Sequence, residues 1–203
     1  MKNRHKKFSL GVTLIELIVA IVIIGVAVAG VLKVLEMANR SSVDPLIHKQ
    51  ALAIAESMLT EIQQMPFTYC DPDDANAATA TSTAGCASTA QDPTPSSTSD
   101  LIGPFPNTES RYSIANSFDN VSDYGGFAMP GGACSSICKP GDATALPGLA
   151  SYSLTVTIKR VGAAAPFASL PLDAALKISV RVTGPANTTI TLTGYRLRYV
   201  PNT

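Results

Sequence analysis

The sequence predicts an α+β protein in which a long N-terminal helix packs on an antiparallel β-sheet. The first sign is an apolar, almost uncharged run over 12–32. The second is a stretch over 47–65 whose apolar residues recur at helical spacing. The third is a C-terminal region in which apolar and polar residues alternate, as they do in half-buried strands. A helix face and a sheet face that each need covering predict a two-layer domain.

The N-terminus predicts a membrane segment. Residues 1–11 form a basic leader without acids, and residues 12–32 contain a single charge, Glu16. Twenty-one helical residues span about 31 Å, close to the hydrocarbon thickness of a bilayer. The leader should stay in the cytoplasm and the rest of the chain should lie outside the inner membrane.

Two cleavage sites are compatible with this segment. An ordinary secretory signal would be cut after Ala29, whereas a cut between Gly11 and Val12 would keep the apolar helix. Glu16 favours the second site, because a carboxylate in the membrane costs roughly 2.5–3.5 kcal/mol and a disposable signal gains nothing from it. A retained helix can pair Glu16 with the new amine of Val12, in its own or a neighbouring chain.

This arrangement of leader, glycine, VTLIEL and apolar helix resembles the precursors of type IV pilins. Gly11 matches the family's glycine before the cut and Glu16 its fifth-position glutamate, whereas Val12 replaces the usual phenylalanine. The resemblance implies that prepilin peptidase cuts before Val12 and that the new amine is methylated. It also implies that Glu16 helps to assemble the subunit with other pilins.

Three further stretches, over 41–67, 117–127 and 191–199, resemble the D-type minor pilins of the mannose-sensitive haemagglutinin (MSHA) pilus. This resemblance implies a subunit that first sits in membrane lipid beside the inner-membrane assembly machinery. It would then enter an extracellular pilus with a role in assembly or adhesion. Related alternatives are a pseudopilin of type II secretion and a DNA-uptake pilin. An alternative of another class is a periplasmic adhesin or carrier released after Ala29.

The chain divides into a leader over 1–11, a membrane or filament-core helix over 12–34, its amphipathic continuation over 35–66 and an extracytoplasmic domain over 67–203. Asp44 and Pro45 predict either a kink or a new helix start with Asp44 as the cap. Met65 and Pro66 predict the helix end. The apolar stripe of the continuation consists of Ile47, Ala51, Ile54, Ala55, Met58, Ile62 and Met65.

Three strands are expected near the C-terminus. Their alternating apolar positions are Tyr152, Leu154, Val156 and Ile158, then Leu176, Ile178, Val180 and Val182, then Ile190 and Leu192 followed by Tyr195, Leu197 and Tyr199. Gly194 interrupts the third alternation and predicts a bulge or slip. By contrast, residues 75–100 contain almost only small and polar residues, which predicts a flexible, exposed insertion.

The four cysteines all follow the membrane segment and are therefore expected in an oxidising compartment. Four cysteines allow three pairings. We favour Cys70 with Cys86 and Cys134 with Cys138, because each pair closes a local loop. The C-x-x-x-C spacing is not the redox C-x-x-C motif, so the disulfides are expected to be structural.

Composition and motifs argue against an enzyme. Lys plus Arg and Asp plus Glu both number 15, and this balance argues against nucleic-acid binding. Only two histidines are present, and no nucleophile, phosphate-loop or zinc motif is found. Asp119, Asn120 and Asp123 have oxygen ligands that suit calcium, but they also suit turn capping, and we expect no metal and no cofactor.

A contact surface is expected in the loop region 117–139, which carries Tyr124 and Phe127 among glycines. Loops on a rigid sheet commonly carry binding residues. The alternative is that these aromatic side chains close the open end of the sheet and belong to the core.

Overall fold

The computed structural model describes residues 13–88, 90–91, 102–104 and 107–198. The predicted leader with the processing residues Gly11 and Val12 lies outside the described residues. So do residues 89 and 92–100 of the predicted insertion, and Tyr199. The chain separates into two compact units, one ending at Pro45 and one beginning at Leu46.

The first element is the helix α1, Leu14–Gln64. It continues through Pro45, so the alternative of a new helix start after Asp44 is not what the structure shows. Pro45 removes one backbone hydrogen bond, and the neighbouring turns carry the helix across this position. The helix ends one residue before Met65, whose own helical conformation is disfavoured by the proline that follows it.

The sheet has four antiparallel strands: β1, Ala128–Met129; β2, Ser153–Arg160; β3, Ala175–Thr183; and β4, Thr189–Leu197. They lie in the order β1-β2-β3-β4. The three longer strands are those that the alternating pattern predicts, and the α+β prediction is confirmed. The two-residue strand β1 was not predicted, because two residues carry no readable alternation.

The core lies between the second half of α1 and the sheet. The helix contributes side chains of the predicted stripe, with Ala51 and Ala55 fully buried. The sheet residues in the same buried cluster are Leu154, Val156, Ile158, Leu176, Ile178, Val180 and Val182.

Gly194 does not form the expected bulge. It pairs with Ile178 in an uninterrupted β3 to β4 ladder, so the expectation of a slip was wrong. A Cβ atom on Gly194 would come within 2.5 Å of Gln63 Nε2 and 3.0 Å of Leu59 Cδ1. The glycine therefore gives α1 room to cross β4. Because the register does not slip, Tyr195 and Leu197 remain about half exposed.

Candidate functional site

The N-terminal part of α1 presents apolar side chains to solvent. The segment Leu14–Met37 is long and apolar enough to cross a membrane, and none of it is buried within the chain. Its large aliphatic side chains are all at least half exposed. An apolar surface of this extent requires lipid or another apolar protein surface to cover it.

Glu16 lies in the first turn of this helix. The backbone N–H of Glu16 donates to Thr13 Oγ1 at 3.3 Å, and the N–H of Leu17 donates to the Thr13 carbonyl at 3.1 Å. Thr13 thus caps the helix, and an acidic residue in the first turn is favoured by the helix dipole. The Glu16 side chain is exposed, so its carboxylate is accessible to a positive group of another chain.

Two disulfides lie in the second unit. Cys70 bonds to Cys86 and Cys134 bonds to Cys138, with S–S distances of 2.09 and 2.16 Å. These are the pairs that local loop closure favours. The first disulfide anchors the described part of the predicted insertion, and Asp74 adds hydrogen bonds from the backbone N–H groups of Ala87 and Ser88 at 2.9 and 2.7 Å.

A cluster of carboxylates lies beside this disulfide. Oxygen atoms of Asp71, Asp73 and Asp119 lie within 4.8 Å of one another, and so do oxygen atoms of Glu109, Asp119 and Asp123. We call these five residues the acidic cluster. Asp71 follows Cys70 directly and Asp73 comes two residues later. Asp119 precedes a short 3₁₀ helix, Val121–Tyr124, and Asp123 lies within it. The fold therefore joins two loops that are distant in sequence.

Asp119, Asn120 and Asp123 were expected either to bind calcium or to cap a turn. The structure shows that Asn120 and Asp123 cap a turn. Asn120 Oδ1 accepts from the N–H of Ser122 at 3.2 Å, and Asp123 Oδ2 accepts from the N–H of Asn120 at 2.6 Å. Asn120 is thus the N-cap of the 3₁₀ helix, and its side chain and that of Asp123 form a capping box. The buried Oδ1 of Asp119, by contrast, has no hydrogen-bond partner within the described part of the chain.

Electrostatics in the cluster raise the pKa of two of its acids in the absence of a cation. Burial, followed by the charge of Asp123 and contact with Asp71, raises the pKa of Glu109 to about 9. Burial and the charges of Asp71 and Asp123 raise the pKa of Asp119 to about 7. A bound cation would reverse these shifts, because it favours the ionised carboxylates.

The proposed contact residues lie mostly inside the domain. Tyr124 is only 2% exposed and its hydroxyl donates to Glu61 Oε1 at 2.9 Å. Phe118, Tyr124 and Phe127 meet edge to face, with ring centroids 5.1 to 6.3 Å apart. The aromatic group therefore closes the core, as the alternative expected. Tyr124 does not offer its ring as a contact surface, and Phe127 is half-buried in the same group.

Sequence reasoning missed a buried ion pair beside these aromatic residues. Arg111 Nε donates to Glu61 Oε1 at 2.6 Å, and Arg111 Nη2 donates to Glu61 Oε2 at 2.8 Å. Arg111 Nη1 also donates to the Cys138 carbonyl at 2.9 Å. The partners are fifty positions apart, and no local pattern connects a helix glutamate with a loop arginine.

Comparison with known proteins gives one match. Residues 6–32 match the family model of the prokaryotic N-terminal methylation motif. No curated protein and no solved structure matches the chain significantly. The matched region contains the last residues of the basic leader, Gly11, Val12, Glu16 and most of the exposed apolar helix. The chain thus carries the methylation motif of class III signals, and this motif indicates a type IV pilin-like or pseudopilin protein.

Proposed function

We propose that this chain is a minor pilin of an MSHA-like type IV pilus, cut by prepilin peptidase between Gly11 and Val12 and inserted into the filament. The observation that carries the proposal is the match of residues 6–32 to the methylation motif. Most of the matched residues lie on a helix whose apolar side chains are not buried within the chain. A helix exposed in this way suits lipid before assembly and the helices of other subunits afterwards. Transfer between two apolar environments costs little.

Glu16 supplies selectivity in this proposal. A carboxylate among apolar side chains is tolerable only when a positive group accompanies it. The amine of Val12, created by the cut, is such a group, and the amine of a neighbouring subunit is another. A subunit placed out of register would leave Glu16 unpaired, so the pair favours one position in the filament.

The second unit supports a structural role in the filament. Its core, two disulfides and buried ion pair make a rigid domain that suits exposure outside the inner membrane. Its cysteines are expected to oxidise there. We propose that this domain acts by contact with other subunits or with a surface, and not by catalysis.

The mature N-terminus tests the proposal. Membrane fractions and sheared surface filaments are digested, and the N-terminal peptide of this chain is sequenced by mass spectrometry. We expect the peptide to begin at Val12 with a methylated amine and to occur in both fractions. A start at Gly30 would support secretion as a soluble carrier and would overturn the proposal.

The same samples distinguish a pilin from a secretion pseudopilin. A pilus subunit should be recovered in sheared filaments together with the other pilins. A chain that begins at Val12 but stays in the cell envelope under the same shear would be a pseudopilin. That result would keep the processing site and exclude the pilus assignment.

A further inference from the structure

We infer that the acidic cluster is a calcium site that fastens the disulfide loop after Cys70 to the loop that carries Glu109 and Asp119. The inference does not depend on the proposed function. It rests on the arrangement of oxygen atoms in the second unit, and it goes beyond the calcium candidate visible in the sequence, because three of the five acids lie outside 119–123.

Four of the five carboxylates, those of Asp71, Asp73, Glu109 and Asp119, line one cleft, and the fifth, Asp123, is buried beside them. Asp119 belongs to both triplets of oxygen atoms that lie within 4.8 Å, so it joins the Asp71 side to the Glu109 side. The cleft has a volume of about 460 Å³ and is lined by acidic and neutral residues, with no lysine or arginine among the described lining residues. Carboxylates this close repel one another once they are ionised, and a divalent ion removes that repulsion.

Some of these carboxylate oxygens are buried without a hydrogen-bond donor. Glu109 Oε2 and Asp119 Oδ1 are inaccessible to solvent, and no N–H or hydroxyl group of the described residues donates to them. The Glu109 side chain meets the carboxyl group of Asp71 instead. A buried polar atom without a partner costs free energy, so such atoms indicate a missing ligand when they occur together.

Gln91 provides an observation independent of the acids. Its side chain is 2% exposed, and its Nε2 contacts Asp123 Oδ1, which places the amide group against the cluster. Its other polar atom, Oε1, is buried and has no partner within the described ranges. A buried neutral carbonyl oxygen beside carboxylates is a typical additional calcium ligand.

The chemistry of the donors selects calcium. Every candidate ligand is a carboxylate or amide oxygen, whereas zinc and copper sites use histidine or thiolate ligands. Calcium takes six to eight oxygen atoms in flexible geometry, which suits ligands supplied by two loops. Magnesium requires a stricter octahedral arrangement at shorter distances and keeps several waters.

Calcium titration of the full-length chain tests the site. The chain is purified in detergent, freed of metal with a chelator and titrated with calcium chloride in a calorimeter. We expect one ion per chain with a Kd of about 10⁻³ M or tighter, the range of extracellular calcium modules. We also expect calcium to raise the melting temperature of the domain, because it binds the folded state.

Variants locate the ion. Glu109→Gln and Asp119→Asn remove one charge each with little change of volume, and each should weaken calcium binding by at least about tenfold. Gln91→Ala removes the neutral ligand and should also weaken binding. Asp142→Asn is the matched control, since Asp142 is an exposed acid outside the cluster, and it should bind as the unaltered chain does.

Each outcome decides the inference. Absence of binding heat and of a melting shift in the unaltered chain would overturn it, even if a variant fails to fold. If Asp142→Asn weakens calcium binding as much as the cluster variants do, calcium responds to the overall charge of the chain and not to the cluster. That result would also overturn the inference. Equal binding of magnesium would overturn the assignment to calcium.

Discussion

Arg111 holds Glu61 through two parallel hydrogen bonds, of 2.6 and 2.8 Å, and so joins a loop of the domain to the last turns of α1. Tyr124 donates to the same carboxylate at 2.9 Å. Glu61 therefore receives three hydrogen bonds and fixes the position of the aromatic group against the helix. The loop that carries Arg111 also carries Glu109, so this contact helps to position the acidic cluster.

Replacing Arg111 by methionine should destabilise the domain by about 3 kcal/mol, because it leaves the Glu61 carboxylate partly buried without its cation. Chemical unfolding followed by circular dichroism measures the loss. The double variant Arg111→Met with Glu61→Leu should recover part of it, since both charges are then gone. A single variant as stable as the unaltered chain would show that the pair contributes nothing.

Gly194→Val should destabilise the domain by about 1 to 3 kcal/mol through overpacking against Leu59. Gly194→Ala should cost less, because the nearest atom to the new Cβ is the end of the flexible Gln63 side chain. Thr193→Val, on the solvent-facing side of the same strand, is the matched control and should change stability little. Equal stability of the valine variants at 193 and 194 would contradict the close approach of α1.

In the presence of a chelator, the domain should become less stable as pH rises. Glu109 and Asp119 have pKa values of about 9 and 7 in the folded chain, above their ordinary values of 4.5 and 3.8. The folded state therefore holds these protons more tightly than the unfolded state, and their stabilising effect is complete below about pH 4 and lost progressively up to about pH 9.

Melting temperatures between pH 5 and pH 9 measure this dependence, at about equal ionic strength throughout. Glu109→Gln should flatten the curve, because glutamine does not ionise. Asp142→Asn should leave it unchanged. A melting temperature that rises over this range would contradict the raised pKa values.

Removing the disulfide between Cys70 and Cys86 should destabilise the chain by about 3 kcal/mol, the chain-entropy value for a loop of this length. The shorter loop between Cys134 and Cys138 should contribute about 2 kcal/mol. Paired cysteine-to-serine variants, compared by chemical unfolding without reductant, measure both effects. Two free thiols in the exported protein would contradict one pairing, and four would contradict both.

Glu16→Val should still be processed but should enter filaments poorly, because the charge that pairs with a neighbouring amine is absent. Immunoblots of sheared filaments and of the cell envelope measure incorporation. Glu56→Val, the same change at an exposed position in the second unit, is the control. Gly11→Leu should instead leave uncut precursor in the membrane. Normal incorporation of Glu16→Val would refute the pairing.

Local patterns sufficed to predict the helix, the three long strands and the apolar stripe. Periodicity reports which residues face a core, and Ala51, Ala55 and Ile62 are buried as their spacing indicates. The methylation motif is equally local, since it requires only the leader, Gly11 and the apolar run around Glu16. Such features depend on neighbours within a few turns of helix or within one strand.

The tertiary structure alone decided the contacts between distant segments. The proximity of Asp71 to Glu109 and that of Gln91 to Asp123 arise where loops meet, and no periodicity links them. The role of Gly194 could not be predicted from the sequence for the same reason. An isolated glycine in a strand suggests a bulge, and only the structure shows that side chains of α1 occupy the space beside it. Burial and charge at such meeting points depend on long-range packing, and so they follow from the fold and not from spacing along the chain.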